Sequence, residues 1–271
     1  MAEVETKDEL VYTDDTAMAI GLAESIVERE GLEQNHLGDT FRANYRREPW
    51  RGYASGPPTV FSRVEERGLT YPEAARTLYG GEGSFGNGAA MRIAPLGVAY
   101  YAQGDLYEMA RASAEVTHAH PVGVDGAAVQ AQAVASVVPL SPNDAFPGDY
   151  FLARLLDTAR TEVMGEKLSC VRDLLGEDAP PAEAARKLGL GVAVDRSQPF
   201  ALYAFLAHTD SFEETLACAV LNGGDRDTMG AMACAVSGTY LGEDGIPAEW
   251  QAKLENGARI GALATQLAAL A

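Results

Sequence analysis

The chain has 271 residues, 47% of them hydrophobic, enough for one large domain or two small ones with a sizeable core. Its formal net charge is −18 and only four of its 21 basic residues are lysines, which argues against the basic face that nucleic-acid or anionic-membrane binding needs. No basic-then-apolar leader opens the sequence and no uninterrupted apolar run reaches the ~18 residues of a membrane span, so a soluble, cytoplasmic protein is expected. The acidic balance suits a high-salt cytoplasm and an acidic soluble bacterial protein equally. Cys170, Cys218 and Cys234 form no C-x-x-C pair and read as small core residues in a reducing compartment.

Residues 1–10, "MAEVETKDEL", are charged and read as a loose lead-in, with a single domain expected over 11–271. From Asp15, the residues Ala17, Met18, Ile20, Leu22, Ile26 and Val27 fall near helical spacing, and Gly31 closes the run. "LGDTFRANYRREP" reads as a second helix stopped by Pro49, and "GPPTVFSRVEE" as a helical segment after a Gly/Pro turn. "TYPEAARTLYG" is a short helix with a Thr/Pro start and a Gly stop. At 80–102 a glycine-rich loop enters an apolar helix. "DLYEMARASAEVTHAHP" and "GVDGAAVQAQAVASVVPL" continue as helices broken by Pro121 and Pro139, and "SPNDAFPGDY" is a loop. Residues 150–190 are amphipathic, with a second start at "DAPPAEAARKLG". "SQPFALYAFLAH", "SFEETLACAVLN" and "DRDTMGAMACAVSGTYLG" supply the last large helices, and "GIPAEWQAKLENG" finishes with a Pro-initiated one. No run alternates at period two for long enough to make a sheet, and Ala, Gly and Ser recur on the apolar faces. The expectation is a compact all-α single domain.

Two related strings stand out. "YTDDTAMA" (12–19) sets Asp14 and Asp15 between threonines at a helix start, and "GGDRDTMGAMA" (223–233) does the same with Asp225, Asp227 and Thr228. Acids and hydroxyls at helix N-termini are ordinary caps, because they accept orphan N–H groups and suit the positive end of the dipole. One cap needs one acceptor, however, and each string offers two carboxylates and a hydroxyl. Gathered from two helix ends, such oxygens are the donors a hard divalent cation takes, and bridging carboxylates would suit a pair of ions. Both readings stay open on local grounds.

"GEGSFGNGAAMR" (81–92) offers positive-φ freedom and close backbone approach at Gly83, Gly86 and Gly88, followed by a helix start whose N–H groups could meet an anion. A plain surface turn explains it as well, although Phe85 is unusual in a linker and could lie against a base or ribose. "THAHP" places His118 and His120 two residues apart, so they do not share a helix face. One capping or core histidine is the default there, and a substrate contact the alternative.

Taken together, "YTDDTAMA", "RGYASGPPTVF" (51–61), "GSFGNGAAMRIAPLGVAY" (83–100), "THAHP" and "GGDRDTMGAMACAVSGTYLG" (223–242) make the chain resemble the ADP-ribosylglycohydrolase family, in that family's order. The "RGY…TVF" and "GSFGNGAAMR" strings look most like the branch that removes ADP-ribose from serine. The resemblance implies a single orthogonal all-helical domain and an enzyme holding two Mg²⁺ ions at the base of a cleft. Thr13, Asp14 and Asp15 are implied to bind metal from one side and Asp225, Asp227 and Thr228 from the other, the four aspartates carrying the catalysis. Gly83, Ser84, Phe85, Gly86 and Asn87 are implied to hold the diphosphate and its ribose, His118 to line the ADP-ribose site, and Tyr79 or Phe85 to pack on the adenosine. The partner would be an ADP-ribosylated protein or another ADP-ribose conjugate, met by a monomer. Two departures bear on activity. The twelve residues before Thr13 contain no G-D-x-x-G motif of the kind the family carries there, and Arg226 stands where the family has a small residue. They leave a second reading, a protein of the same fold that binds ADP-ribose and has lost the chemistry.

Overall fold

In the computed structural model, which describes residues 7–270, the helically spaced segments are helices. Among the described residues there is no strand, only two isolated bridges, Leu10 with Leu254 and Gly86 with Ala193. Helix α1 spans Asp14–Arg29 and buries Met18, Leu22 and Ile26, an i, i+4, i+8 stripe, against α2 (Gln34–Arg47). Helix α3 (Gly56–Arg67) has proline in its first turn and stops at Gly68, where φ is +64°. A capping box between Thr70 and Glu73 starts α4 (Tyr71–Arg76). Beyond the glycine loop lie α5 (Ala94–Ala99), α6 (Leu106–Ala114) and α7 (Pro121–Val137). The amphipathic run 150–190 divides into α8 (Gly148–Thr158), α9 (Glu162–Gly176) and α10 (Pro181–Leu188). Then come α11 (Gln198–Ala207), α12 (Phe212–Leu221), α13 (Arg226–Leu241), α14 (Ala248–Gln251) and α15 (Gly257–Ala268).

Helix α7 is the axis of the molecule. Most of its residues are buried, Asp125 and Gln130 among them, and α5, α6, α8 and α13 pack around it. Small residues set the distances: a Cβ on Gly97 would stand 2.8 Å from the Ala131 carbonyl, and one on Gly126 would stand 2.3 Å from Val194. Helix α11 is buried on most sides too, and brings Phe205 into an aromatic cluster with Phe146, Phe151 and Tyr240. The result is an all-α single domain, as expected.

Three sequence expectations need correction. The final segment is not one Pro-initiated helix: α14 is a single turn, and α15 follows it as a separate helix that the sequence reading did not foresee. Its start carries no capping side chain, because Asn256 enters it left-handed at φ +57°, so the usual start signal is missing. Cys218 is buried, but Cys170 and Cys234 are only partly so. Of the expected loose lead-in, residues 1–6 lie outside the described residues, while its end is paired. The Leu10 amide donates to the Lys253 carbonyl at 2.8 Å and the Glu255 amide to the Leu10 carbonyl at 3.0 Å.

No helix of the described residues is long and apolar enough to cross a membrane.

Candidate functional site

The N-termini of α1 and α13 converge on one cleft, of about 260 Å³. Neither behaves as a capped end. Thr13 occupies the N-cap position of α1 and Asp225 that of α13, yet neither side chain makes the capping bond to its helix's backbone. Elsewhere in the same chain Thr70 and Ser211 cap in the ordinary way. The capping explanation of the two strings therefore fails. Thr13 Oγ1 instead donates to Asp15 Oδ2 at 2.8 Å, and Asp14, Asp225, Asp227 and Thr228 line the cleft.

The electrostatics follow from that convergence. Burial first, then Asp15, with Asp227 and Asp225 behind it, pushes the Asp14 carboxyl up to about 7. Asp15 is also raised, by burial and by Asp227, against the hydrogen bonds of Thr13 and Thr228 that pull it down. Burial and Asp227 likewise raise Asp225, against a 2.6 Å hydrogen bond donated by Asn87 Nδ2. Asp15 Oδ1 is buried with no hydrogen-bond partner. Among the described residues no three His, Cys, Asp or Glu side chains close on a common point as a finished metal cage would. The donors are nonetheless all hard oxygen: Asp14, Asp225, Asp227 and Thr228 in the cleft wall, and Thr13 and Asp15 bonded to each other and not part of that wall, with one buried Asp15 oxygen unsatisfied. That chemistry fits Mg²⁺ and disfavours softer metals. Arg226 is exposed and does not line the cleft.

The glycine loop forms the facing wall through Ser84, Gly86, Asn87 and Gly88. It differs in detail from the sequence expectation. Of Gly83, Gly86 and Gly88, only Gly83 has a positive φ, +79°, while Gly86 sits at −63°. Gly88 is needed for space, because a Cβ there would come within 2.9 Å of the His118 ring. The loop leads into a 3₁₀ turn at Asn87–Ala89 and not into an α-helix, and the Gly86 and Asn87 amides are engaged by Ser84 Oγ and the Val192 carbonyl. Gly83 packs on Ala119 and His120, and Phe85 packs on the His120 ring at 5.2 Å; neither lines the cleft.

The two histidines divide their roles. His120 accepts the Val122 amide through Nδ1 and caps α7. His118 lies in the cleft wall and shares a 2.7 Å hydrogen bond with Thr117 through Nδ1, its ring Nε2 facing the loop at Gly86 and Gly88. Burial, and after it the charge of Arg92, pushes His118 down to about 3, so it is neutral at pH 7. Tyr79 stands at the rim, largely exposed and left-handed at φ +49°.

Two parts of the wall escaped the sequence reading. One is the entry to α3, where Gly52, Ala54, Gly56 and Pro57 line the cleft, a stretch that carried the resemblance without being given a place in the site. The other is a strap at 189–196 that ties the site together. Its Val192 carbonyl takes the Asn87 amide, its Val194 amide donates to Phe85, and its Leu190 carbonyl takes the Asp225 amide, at 2.9, 3.0 and 2.9 Å. "LGLGVAV" carries no chemistry-bearing side chain, so nothing in composition marks it.

Fold and site define an all-helical protein with opposed acidic helix ends over a glycine-lined cleft. The model of the ADP-ribosylglycohydrolase family matches residues 4–271. ADP-ribosylhydrolase ARH3 of Bos taurus is 34% identical, over 91% of this chain and 74% of its own length. The Homo sapiens ARH3 is 33% identical, over 93% and 76%. A solved structure described as an ADP-ribosylglycohydrolase-related protein complex superposes with a TM-score of 0.71 at 27% identity, covering 95% of this chain and 81% of that one. The chain belongs to the ADP-ribosylglycohydrolase family, and it is a hydrolase.

Proposed function

We propose that this protein is a Mg²⁺-dependent hydrolase that releases ADP-ribose from protein side chains, serine foremost. The observation that carries the reading is that two acidic helix starts leave their caps unmade and turn three carboxylates, Asp14, Asp225 and Asp227, into one cleft, with Asp15 buried behind them and one of its oxygens without a partner. The similarity to ARH3 proteins supports the substrate class.

Thr13, Asp14 and Asp15 would hold the cations from α1, and Asp225, Asp227 and Thr228 from α13. Bound there, Mg²⁺ supplies Lewis acidity and a polarised water. Asn87, by donating to Asp225, fixes the direction in which that carboxylate points. Ser84, Gly86 and Asn87 would seat the diphosphate and its ribose, with Gly83 and Phe85 holding the loop on α7. Neutral His118 offers Nε2 to a sugar or phosphate oxygen without adding charge to an already anionic site. Tyr79, standing in the cleft wall, is better placed than Phe85 to pack on adenosine.

The test is release of ADP-ribose from a serine-modified peptide, with Mg²⁺ and with chelator. Asp225→Ala is expected to lower turnover at least about a hundredfold, the scale on which a lost charge-stabilising group acts. Unchanged turnover would sink the assignment. Tight binding of ADP-ribose without turnover at any Mg²⁺ concentration would favour the binding-protein reading instead.

A further inference from the structure

The peptide carrying Thr13, Asp14 and Asp15 is held from behind, by a guanidinium outside the cleft. Arg51 is buried, and each of its five N–H groups has an acceptor. Nε donates to Glu48 Oε2 at 3.3 Å, Nη1 to the Tyr12 carbonyl at 3.0 Å and to Glu255 Oε2 at 2.7 Å, and Nη2 to Glu48 Oε1 at 3.1 Å and Glu255 Oε1 at 2.6 Å. The bond to Glu255 is the two-pronged guanidinium–carboxylate form, directional as well as strong. The same guanidinium lies 4.1 Å from the centre of the Tyr12 ring.

The backbone of Arg51 completes the grip. Its carbonyl accepts the Asp14 amide at 2.8 Å, so one residue holds the peptide by the carbonyl of position 12 and the amide of position 14. Gly52 then turns away at φ +95°, a left-handed conformation that residues with side chains rarely adopt.

Glu255 brings the far end of the chain into this grip. Leu10 exchanges backbone hydrogen bonds with Lys253 and Glu255, the Tyr12 amide donates to Glu255 Oε2 at 3.3 Å, and Asn256 Nδ2 donates to the Tyr12 hydroxyl at 3.0 Å. Residues 10–14 thus run between Arg51 on one side and 253–256 on the other. None of Arg51, Glu48 and Glu255 lines the cleft.

Thr13 is extended, at φ −91° and ψ −170°, and only its carbonyl joins the helix, taking the Ala17 amide at 3.1 Å, so the residues before it are held by Arg51 and 253–256 and not by α1. Asp14 and Asp15 meet the like charge of Asp227 and Asp225, a repulsion that would displace a loosely held limb. A limb fixed in advance does not lose its freedom on binding, and groups behind the ligands commonly set cation affinity in this way. We propose that Arg51 and Glu255 are positioning residues that preorganise the Thr13–Asp15 limb for a divalent cation, an inference that rests on the cation reading of the cleft given above.

The test uses the full chain, free of cations at the outset. Mg²⁺ is titrated calorimetrically into the parent, Glu255→Gln, Arg51→Lys, Glu48→Gln and Asp225→Asn, each checked for its helical circular dichroism. In parallel, amide hydrogen exchange is followed without Mg²⁺. Glu255→Gln and Arg51→Lys are expected to weaken Mg²⁺ binding by about tenfold or more, the effect of a lost charge-assisted hydrogen bond. Both should speed exchange over residues 11–15 while leaving α7 as protected as in the parent. Glu48→Gln touches the same guanidinium but not its links to residues 10–14, so it should change affinity by less than about threefold. If the parent binds Mg²⁺, Asp225→Asn does not, and Glu255→Gln and Arg51→Lys bind as the parent does, the positioning role is overturned and the cation site stands. If the parent binds no Mg²⁺, the cation reading itself falls. Exchange that accelerates equally in α7 and in residues 11–15 would reduce the grip to a general staple and also overturn the proposal.

Discussion

At the scale of single residues, two groups in the cleft titrate in opposite directions, and each makes a prediction. His118 is held neutral down to about pH 3, whereas an unfolded histidine protonates near 6.5. Between those values the unfolded chain binds a proton that the folded one does not. The stability involved is whole above about pH 6.5 and is lost as the pH falls toward 3. His118→Gln removes the penalty, so at about pH 4.5 the variant should gain roughly 2 kcal/mol on the parent relative to their difference at pH 7, read by denaturant titration at both pH values. A gap that does not change with pH would contradict the burial of a neutral ring. Asp14 moves the other way. With no cation present it carries a proton up to about pH 7, because burial and its acidic neighbours disfavour the charge. A cation must displace that proton, so Mg²⁺ affinity should rise by up to about tenfold per pH unit below 7 and level off above it. Calorimetric titrations at three pH values check this, and an affinity flat from pH 5.5 to 8 would refute it.

At the scale of elements, the strap at 189–196 shows how a segment without functional side chains can govern a site. Its carbonyls and amides hold the glycine loop on one side and the start of α13 on the other, through the bonds of Val192, Val194 and Leu190. The fit at Gly224 is close. That residue sits at φ +71°, and a Cβ there would be 2.1 Å from the Leu190 carbonyl, a backbone atom with nowhere to go. Gly224→Ala must therefore strain the turn or push the strap off Asp225. It should cost about 2 kcal/mol or more and lower the melting temperature by roughly 4–8 °C. Turnover should fall with it, since Asp225 would lose its place. A melting temperature within a degree of the parent would show that the turn has slack that the geometry denies.

At the scale of the molecule, an excess of 18 negative charges in 271 residues repels itself at low ionic strength. Ion pairs at the surface, such as Arg29 with Glu33 and Lys187 with Glu183, oppose this, but exposed pairs contribute little and are screened by the same salt. The net repulsion should win. The melting temperature is expected to rise by several degrees between about 20 and 500 mM NaCl in scanning calorimetry, most of the gain falling where the Debye length shrinks below about 10 Å. A melting temperature that falls over this range would mean that the ion pairs outweigh the excess charge.

The sequence by itself determined the helical class and most helix positions, because apolar spacing and the Pro, Gly and capping residues at helix ends are local properties. "TYPEAAR" contains its own capping box, and Pro121 starts α7 under a His120 cap within a single short string. It also marked the acidic strings and the glycine loop as unusual. Only the tertiary structure decided what those strings do. An Asp-Thr helix start has the same local pattern whether its oxygens cap the helix or face a cleft, and what left Thr13 and Asp225 uncapped was packing between segments some two hundred residues apart. The same holds for Arg51 with Glu255, for the strap at 189–196, and for the outward position of Arg226. Contacts of that kind depend on which surfaces the core brings together, and no window of neighbouring residues contains them.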